Sequence, residues 1–361
     1  MSTLKDRIIR LIETNGPISV ADYMGLCLGD SESGYYMTRE PFGRSGDFIT
    51  APEVSQMFGE LIGVWCLSAW EALGKPSRFV FAEIGPGRGT LMKDLLRAAS
   101  RLMPDFSAGA DIWMIETSPR LTGMQKATLA DAPVPITWAD SFDALPSGPL
   151  ILVANELFDA LPTHQYVKAW NRFAERMVGL DDRGQLCFAA GAGSVDPDLL
   201  PRGYDHAPEG AIFEAAPARS ALMDSISHRL SAHRGAALLI DYGHLKSDFG
   251  DTLQALGHHK PQDVFEAPGE ADLTSHVDFD VLEQISRASA CLTATMTQGE
   301  FLLAMGLLER AGQLGRGKSE ADQEQLHIDV ERLAGPDQMG TLFKVLCVSD
   351  PATQPFPFFP G

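Results

Sequence analysis

The chain has 361 residues, and what it lacks narrows its function first. No apolar run approaches the roughly 18 residues needed to cross a bilayer. The first seven residues, Met1 to Arg7, lead into an amphipathic pattern rather than a signal h-region, and an Arg-rich, acid-poor transit peptide is also missing. No membrane insertion or export is expected. The five cysteines, Cys27, Cys66, Cys187, Cys291 and Cys347, form no C-x-x-C pair, which excludes a zinc ribbon, a thioredoxin-type site and a disulfide framework. A reducing cytoplasm fits. The nine histidines include His258, His259 and His276, but none falls in a spacing such as H-E-x-x-H, so no metal is expected. Basic residues are few, 29 against 48 acidic, giving a net charge of −19. Nucleic acid is excluded as a partner, because binding a phosphate backbone relies on Lys and Arg displacing counterions. The acidity favours cationic ligands or basic peptide segments, or serves solubility alone.

The length exceeds the ceiling of about 250 to 300 residues for one simple core, so insertions or a second domain are expected. Leu4, Ile8, Leu11 and Ile12 recur at helical spacing until Gly16-Pro17, and Ser19 caps a second helix to about Leu28. Residues 29–46 read as a long loop. The stretch from Ser55 to Leu73 is too apolar for a surface helix and suggests a buried one. Residues 1–75 are therefore expected to form an N-terminal helical cap. The period then changes to short apolar strands: Phe79 to Ile84, Ile112 to Ile115, Ile136 to Trp138, Pro149 to Ala154 and Ala236 to Ile240. Helices are expected between them, from Thr90 to Leu102 and from about Pro119 to Leu129, with Pro217 to His233 leading into the fifth strand. Strands at Cys291 to Thr297 and Thr341 to Val348 are expected to close the sheet, separated by the helical stretch Glu300 to Leu308 and the charged segment Glu320 to Leu333. Such alternation predicts a doubly wound, mostly parallel, seven-stranded Rossmann-like α/β sheet covered on both faces. The chain between the fourth and fifth strands far exceeds a crossover of about a dozen residues. An inserted antiparallel meander is expected there, with a turn at Asp181 to Gly184. The expected division is 76–165 with 234–350 as the core and 166–233 as the insertion.

The strongest chemical signal is Glu83-Ile84-Gly85-Pro86-Gly87-Arg88-Gly89-Thr90, where a strand ends and a helix begins. Glycines let the backbone approach a ligand, and the helix N-terminus presents unpaired N–H groups. The dinucleotide fingerprint is not met: G-x-G-x-x-G would need glycine where Thr90 stands. Nor is its acid in place, since Glu116, which ends the second strand, comes 27 residues after Gly89 rather than about 20. A nicotinamide oxidoreductase is thus the least favoured enzyme class.

The acid-preceded loop E-x-G-x-G-x-G instead resembles motif I of class I methyltransferases. The resemblance implies S-adenosyl-L-methionine as cofactor, with Glu83, Gly85, Pro86, Gly87, Gly89 and Thr90 facing its methionine part. It further implies Glu116 on the ribose hydroxyls and Asp140 with Ser141 beside the adenine. The chemistry is compatible, because neighbouring hydroxyls donate and an ionised carboxylate offers two acceptor oxygens. The plainer reading of Glu116 and Asp140 is solvated acids at strand ends.

The fourth strand runs into Asn155-Glu156-Leu157-Phe158-Asp159-Ala160-Leu161-Pro162. Ligands of open α/β sheets sit beyond the carboxyl ends of the strands, so Asn155, Glu156 and Asp159 are the candidate catalytic residues facing the methyl acceptor. Two close carboxylates repel and raise each other's pKa unless a cation joins them. An arginine guanidinium suits such a pair, and positioning its nitrogen is most of what methyl transfer requires. Surface acids near a helix start are the competing explanation. His164 could reach the cleft as an optional base.

A further stretch, Gly46-Asp47-Phe48-Ile49-Thr50-Ala51-Pro52-Glu53, carries a helix-start signature with Thr50 as cap. Its position beside a long loop makes Asp47, Phe48, Thr50 and Glu53 candidate lid or substrate residues. Together with the glycine loop, residues 154–162, Asp241-Tyr242-Gly243-His244 and Ala267 to Thr274, this stretch resembles the MidA family, bacterial relatives of a mitochondrial arginine methyltransferase of complex I assembly. The resemblance runs from about residue 4 to residue 348. It implies symmetric dimethylation of a protein arginine, with a respiratory complex I subunit as the mitochondrial target. Methylation of a small molecule, and a non-catalytic assembly factor that binds the cofactor, are the alternatives. The oligomeric state is not legible.

Overall fold

The computed structural model describes residues 2–39, 50–257 and 260–359, which divide into two compact units. One consists of Ile49–Leu157, Met223–Gly243 and Val281–Gly361; the other of Met1–Phe48, Phe158–Leu222 and His244–Asp280.

The first unit is built on a mixed α/β sheet whose strands are β1 (Phe79–Ile84), β2 (Ala110–Ile115), β3 (Ile136–Ala139), β4 (Leu150–Asn155), β5 (Gly235–His244), β6 (Leu292–Thr297) and β7 (Phe343–Ser349). These seven follow one another in the order β6-β7-β5-β4-β1-β2-β3. β1 through β5 pair in parallel, and β7 runs antiparallel to both β5 and β6. Every residue of β1 and β4 is buried, as expected of central strands covered on both faces. The order steps outward from β1 in both directions, which makes the carboxyl ends of β1 and β4 the switch point of the sheet.

The helix Gln56–Ala72 packs in this unit's core, where Phe58, Trp65 and Trp70 join Phe79, Phe81 and Phe106. It lies close to the helix Thr90–Leu102: a Cβ on Gly59 would stand 2.7 Å from Cβ of Asp94. The expected cap over 1–75 is therefore divided. Its apolar third helix belongs to the sheet unit because an unbroken apolar surface is stable only inside a core. The single helix expected over Glu300 to Leu308 is broken at Gly306, which adopts a left-handed φ of +94° between Gln298–Ala304 and Leu307–Gly315.

In the other unit, helices Leu4–Asn15 and Val20–Gly29 start at the caps Thr3 and Ser19 and bury Ile8, Ile12, Tyr23 and Met24. Strands Ile18–Ser19, Arg172–Leu180, His164–Ala169 and Ile212–Ala215 lie side by side, and Leu186–Ser194 pairs with Arg172–Leu180, all antiparallel. The expected turn is present, with Gly184 N donating to Asp181 O at 2.9 Å. A second, three-stranded sheet of Gln254–Gly257, Lys260–Gln262 and Asp272–Thr274 was not foreseen, because these strands are too short to show alternation. Thus residues 244–280, expected in the core, belong with the meander. Among the described residues no helix is long and apolar enough to cross a membrane, and no cluster of His, Cys, Asp and Glu is placed to hold a metal.

Candidate functional site

β1 delivers the glycine loop. Gly85 N donates to Ile115 O at 3.0 Å, continuing the β1–β2 ladder for one residue before the chain turns. Gly85 takes a φ of +66°, and a Cβ there would come within 2.8 Å of the Leu157 side chain, so only glycine fits. Gly89 closes the turn onto Pro86 O at 2.8 Å and caps the helix Thr90–Leu102 at φ +80° with no side chain of its own. The first N–H groups of this helix are left for a ligand, with the positive end of the helix dipole behind them.

Three acids stand around this loop. Glu83, on β1, is buried, its Oε2 has no hydrogen-bond partner among the described residues, and burial pushes its pKa up to about 8. Glu116, after β2, is half-buried and raised in pKa by burial, an effect opposed by its hydrogen bonds. Its Oε1 accepts from Ser118 N at 2.8 Å and its Oε2 from Gln125 Nε2 at 3.0 Å. Glu53 accepts at Oε1 from Thr90 Oγ1 at 2.6 Å and stands 3.9 Å from Arg88 at Oε2. A pyrophosphate would meet these carboxylates with Arg88 alone among the loop's own side chains to oppose them. A ribose diol and a cationic ammonium or sulfonium suit them, so the donor and acceptor set fits S-adenosyl-L-methionine.

The tip of β2 is joined to β3 by Glu116 N donating to Ala139 O at 2.9 Å. Asp140 is exposed just beyond β3, and Ser141 caps a short turn by accepting from Asp143 N at 3.2 Å. At the end of β4, Glu156 adopts a left-handed φ of +52°, a conformation that side-chain-bearing residues hold only under constraint. Its N–H donates to Ile240 O at 2.9 Å, while its Oε1 accepts from Asn155 Nδ2 at 3.0 Å and from Ala51 N at 3.3 Å. One backbone turn and two donors thus aim this carboxylate from the switch point of the sheet.

Asp159 and His164 belong to the other unit. There Asp159 is buried, its carbonyl accepts from Arg219 and from Ser275 N, and His164 Nδ1 lies 2.9 Å from Glu175 Oε1 on a neighbouring strand. Thr50 occupies the cap position of the short helix Ala51–Val54, without a side-chain cap bond. Glu53 reaches Thr90 and Arg88 of the glycine loop. Asp47 and Phe48 lie outside the described residues, as do His258 and His259. The sequence reading missed Gln125. Its signal was a polar residue midway along a buried i, i+4 stripe between Leu121 and Leu129.

A strand order of this kind, with a glycine loop after β1 and an acid after β2, defines an S-adenosylmethionine-binding methyltransferase sheet. Residues 61–297 match the family of S-adenosyl-L-methionine-dependent methyltransferases. "Protein arginine methyltransferase NDUFAF7, mitochondrial" of Xenopus tropicalis is 35% identical, with 96% of this chain and 86% of that protein aligned. The Homo sapiens protein of the same name is 33% identical over 92% of this chain and 80% of its own. A solved structure from Burkholderia thailandensis, bound to S-adenosyl-homocysteine, is 27% identical and superimposes with a TM-score of 0.84, covering 97% of this chain and 92% of that one. The chain belongs to this family of S-adenosylmethionine-dependent methyltransferases, the MidA-like group that the motifs anticipated.

Proposed function

We propose that this methyltransferase acts on an arginine side chain of a protein, with Glu156 receiving the acceptor and Asn155 orienting it. The observation that carries the reading is the strained turn at Glu156, whose carboxylate is aimed by Asn155 and by Ala51 N at the switch point of the sheet. An anionic group so placed binds and orients a guanidinium, whose planar donors match a carboxylate. The names of the mitochondrial relatives support a protein arginine as the acceptor. Bound S-adenosylmethionine supplies an electrophilic methyl on a sulfonium. Glu116 accepts from the ribose hydroxyls, the loop from Gly85 to Gly89 receives the methionine part, and Asp140 with Ser141 borders the adenine. Glu83 lies beneath the loop as a carboxyl group whose ionisation is favoured by a nearby cation. A guanidinium nitrogen that attacks a sulfonium can lose its proton late, so orientation by Glu156 matters more than strong base catalysis. Symmetric dimethylation, and a complex I subunit as acceptor, are the finer form of this reading. They are supported by the resemblance to the MidA family.

The test is incubation of the protein with isotopically labelled S-adenosylmethionine and cell lysate, followed by mass spectrometry. Label is expected on arginine of one or a few proteins. Glu156→Gln is expected to lower transfer at least about tenfold through loss of a charge-assisted contact, with S-adenosylhomocysteine affinity retained. Label on a small molecule, or full transfer by the variant, overturns the reading.

A further inference from the structure

Gln125 is fully buried on the helix Pro119–Thr128, and its carboxamide meets three separate pieces of the cofactor-binding edge. Nε2 donates to Gly87 O at 2.9 Å and to Glu116 Oε2 at 3.0 Å, and Oε1 accepts from Trp138 Nε1 at 3.1 Å. The partners fix the orientation of the amide. A carbonyl and a carboxylate can only accept and an indole N–H can only donate, so the reversed amide would lose all three bonds. Glutamate in this place could not donate twice, and leucine could not donate at all. The helix also abuts the loop directly, since a Cβ on Gly89 would stand 3.5 Å from Cα of Gln125.

We infer that Gln125 is a positioning residue of the cofactor site, which fixes the Glu116 carboxylate for the ribose diol and holds the glycine loop and β3 in register with it. The inference rests on the reading of Glu116 as the ribose anchor. Ser118 N donates to Glu116 Oε1 and Gln125 Nε2 to Oε2. Each oxygen keeps acceptor capacity for a hydroxyl, because an ionised carboxylate has about four lone-pair sites. Without Gln125 the carboxylate loses the side-chain donor on Oε2 and can rotate. Gly87 O and Trp138 Nε1 lose a partner at the same time, so the loop and β3 loosen together. Gln125 acts through these groups without touching the cofactor.

Calorimetry of S-adenosylhomocysteine and its 2′-deoxy analogue tests this with the wild type, Gln125→Leu, Glu116→Gln and the double variant. Gln125→Leu is expected to bind S-adenosylhomocysteine at least about tenfold more weakly, the usual effect of removing a hydrogen bond to a charged group. The preference for the ribose form over the 2′-deoxy form is expected to shrink to that of Glu116→Gln, and the double variant to lose less affinity than the sum of the two single losses, with no further loss of that preference. Should Gln125→Leu not fold, Gln125→Glu serves. Its affinity should fall more steeply than the wild type's from about pH 5.5 to 8.5, as two adjacent carboxylates come to repel. A folded Gln125→Leu protein with undiminished ribose discrimination, losses that add to those of Glu116→Gln, or a Gln125→Glu protein with the wild-type pH profile overturns the inference. If Glu116→Gln itself leaves affinity and discrimination unchanged, the ribose-anchor reading falls, and this inference with it.

Discussion

The two units use buried charge in opposite ways. In the antiparallel unit the buried guanidinium of Arg219 is held by oxygens of its own unit. It donates to His276 O at 2.6 Å, to Asp159 O at 3.1 Å, and to Ser275 O and Oγ at 3.0 and 2.6 Å. In the parallel unit the Glu83 carboxyl is buried with one oxygen lacking any protein partner among the described residues. The first arrangement is what a buried charge needs in order to stabilise a fold. The second costs stability, and lies directly before a ligand-binding loop. Glu156, at a strand end of the same sheet, also takes a left-handed φ.

The largest expected effect comes from removing the satisfied charge. Arg219→Met removes a donor from three carbonyls and should lower unfolding free energy by about 3 to 5 kcal/mol. Urea or guanidinium midpoints read this directly. Because every cofactor contact proposed above lies in the sheet unit, the folded variant should keep its S-adenosylhomocysteine affinity. A loss below about 1 kcal/mol, the size of an ordinary exposed hydrogen bond, would break the contrast between the units.

A smaller effect should follow from the unsatisfied acid, with a sign fixed by linkage. Burial raises Glu83 from an ordinary 4.5 to about 8. Below the lower value both folded and unfolded chains carry the proton, so folding costs nothing through this group. As pH rises through the window the unfolded chain ionises first, and stability falls until the folded carboxyl ionises as well. Glu83→Gln cannot ionise. Relative to the wild type without cofactor, it should therefore gain stability steadily from about pH 5 to 8, by a few kcal/mol at most. Melting temperatures across that range check it, and a constant difference between the two proteins would show that Glu83 is not buried as an acid.

The same contrast explains what could be read from the residues beforehand. β1, β4 and the helix Thr90–Leu102 are visible because a strand covered on both faces is a short unbroken apolar run, and Gly85 to Gly89 punctuate its end. Glu116 was legible from its place after β2. The antiparallel unit is assembled from three separate stretches, and its strands at Gln254–Gly257 and Asp272–Thr274 are too short to establish a period. Local patterns cannot reveal that residues 244–280 join the meander, since that association is made by distant pairing. Gln125 escaped for a different reason: a polar residue on a buried stripe is meaningful only once its three partners are known. Glu53 was noticed as a helix-start residue, and its partner Thr90 is 37 positions away.

The smallest expected effect concerns that last pair and asks whether the loop's stiffness, as well as its shape, serves the ligand. Thr90 Oγ1 donates to Glu53 Oε1 at 2.6 Å, fastening the first residue of the helix after the loop to the short helix Ala51–Val54. Thr90→Val removes the hydroxyl while keeping the branched shape, at an expected cost of about 1 kcal/mol in cofactor binding, or about fivefold in affinity. Glu53→Met, which removes the acceptor, should do the same, and the two changes should not add, because each removes the same bond. If the double variant instead shows the summed loss, each residue contacts the cofactor separately and the fastening is incidental. If neither change alters affinity, the helix N-terminus is rigid without this bond. The ligand-ready geometry of the parallel unit would then come from the glycine turn and the sheet alone.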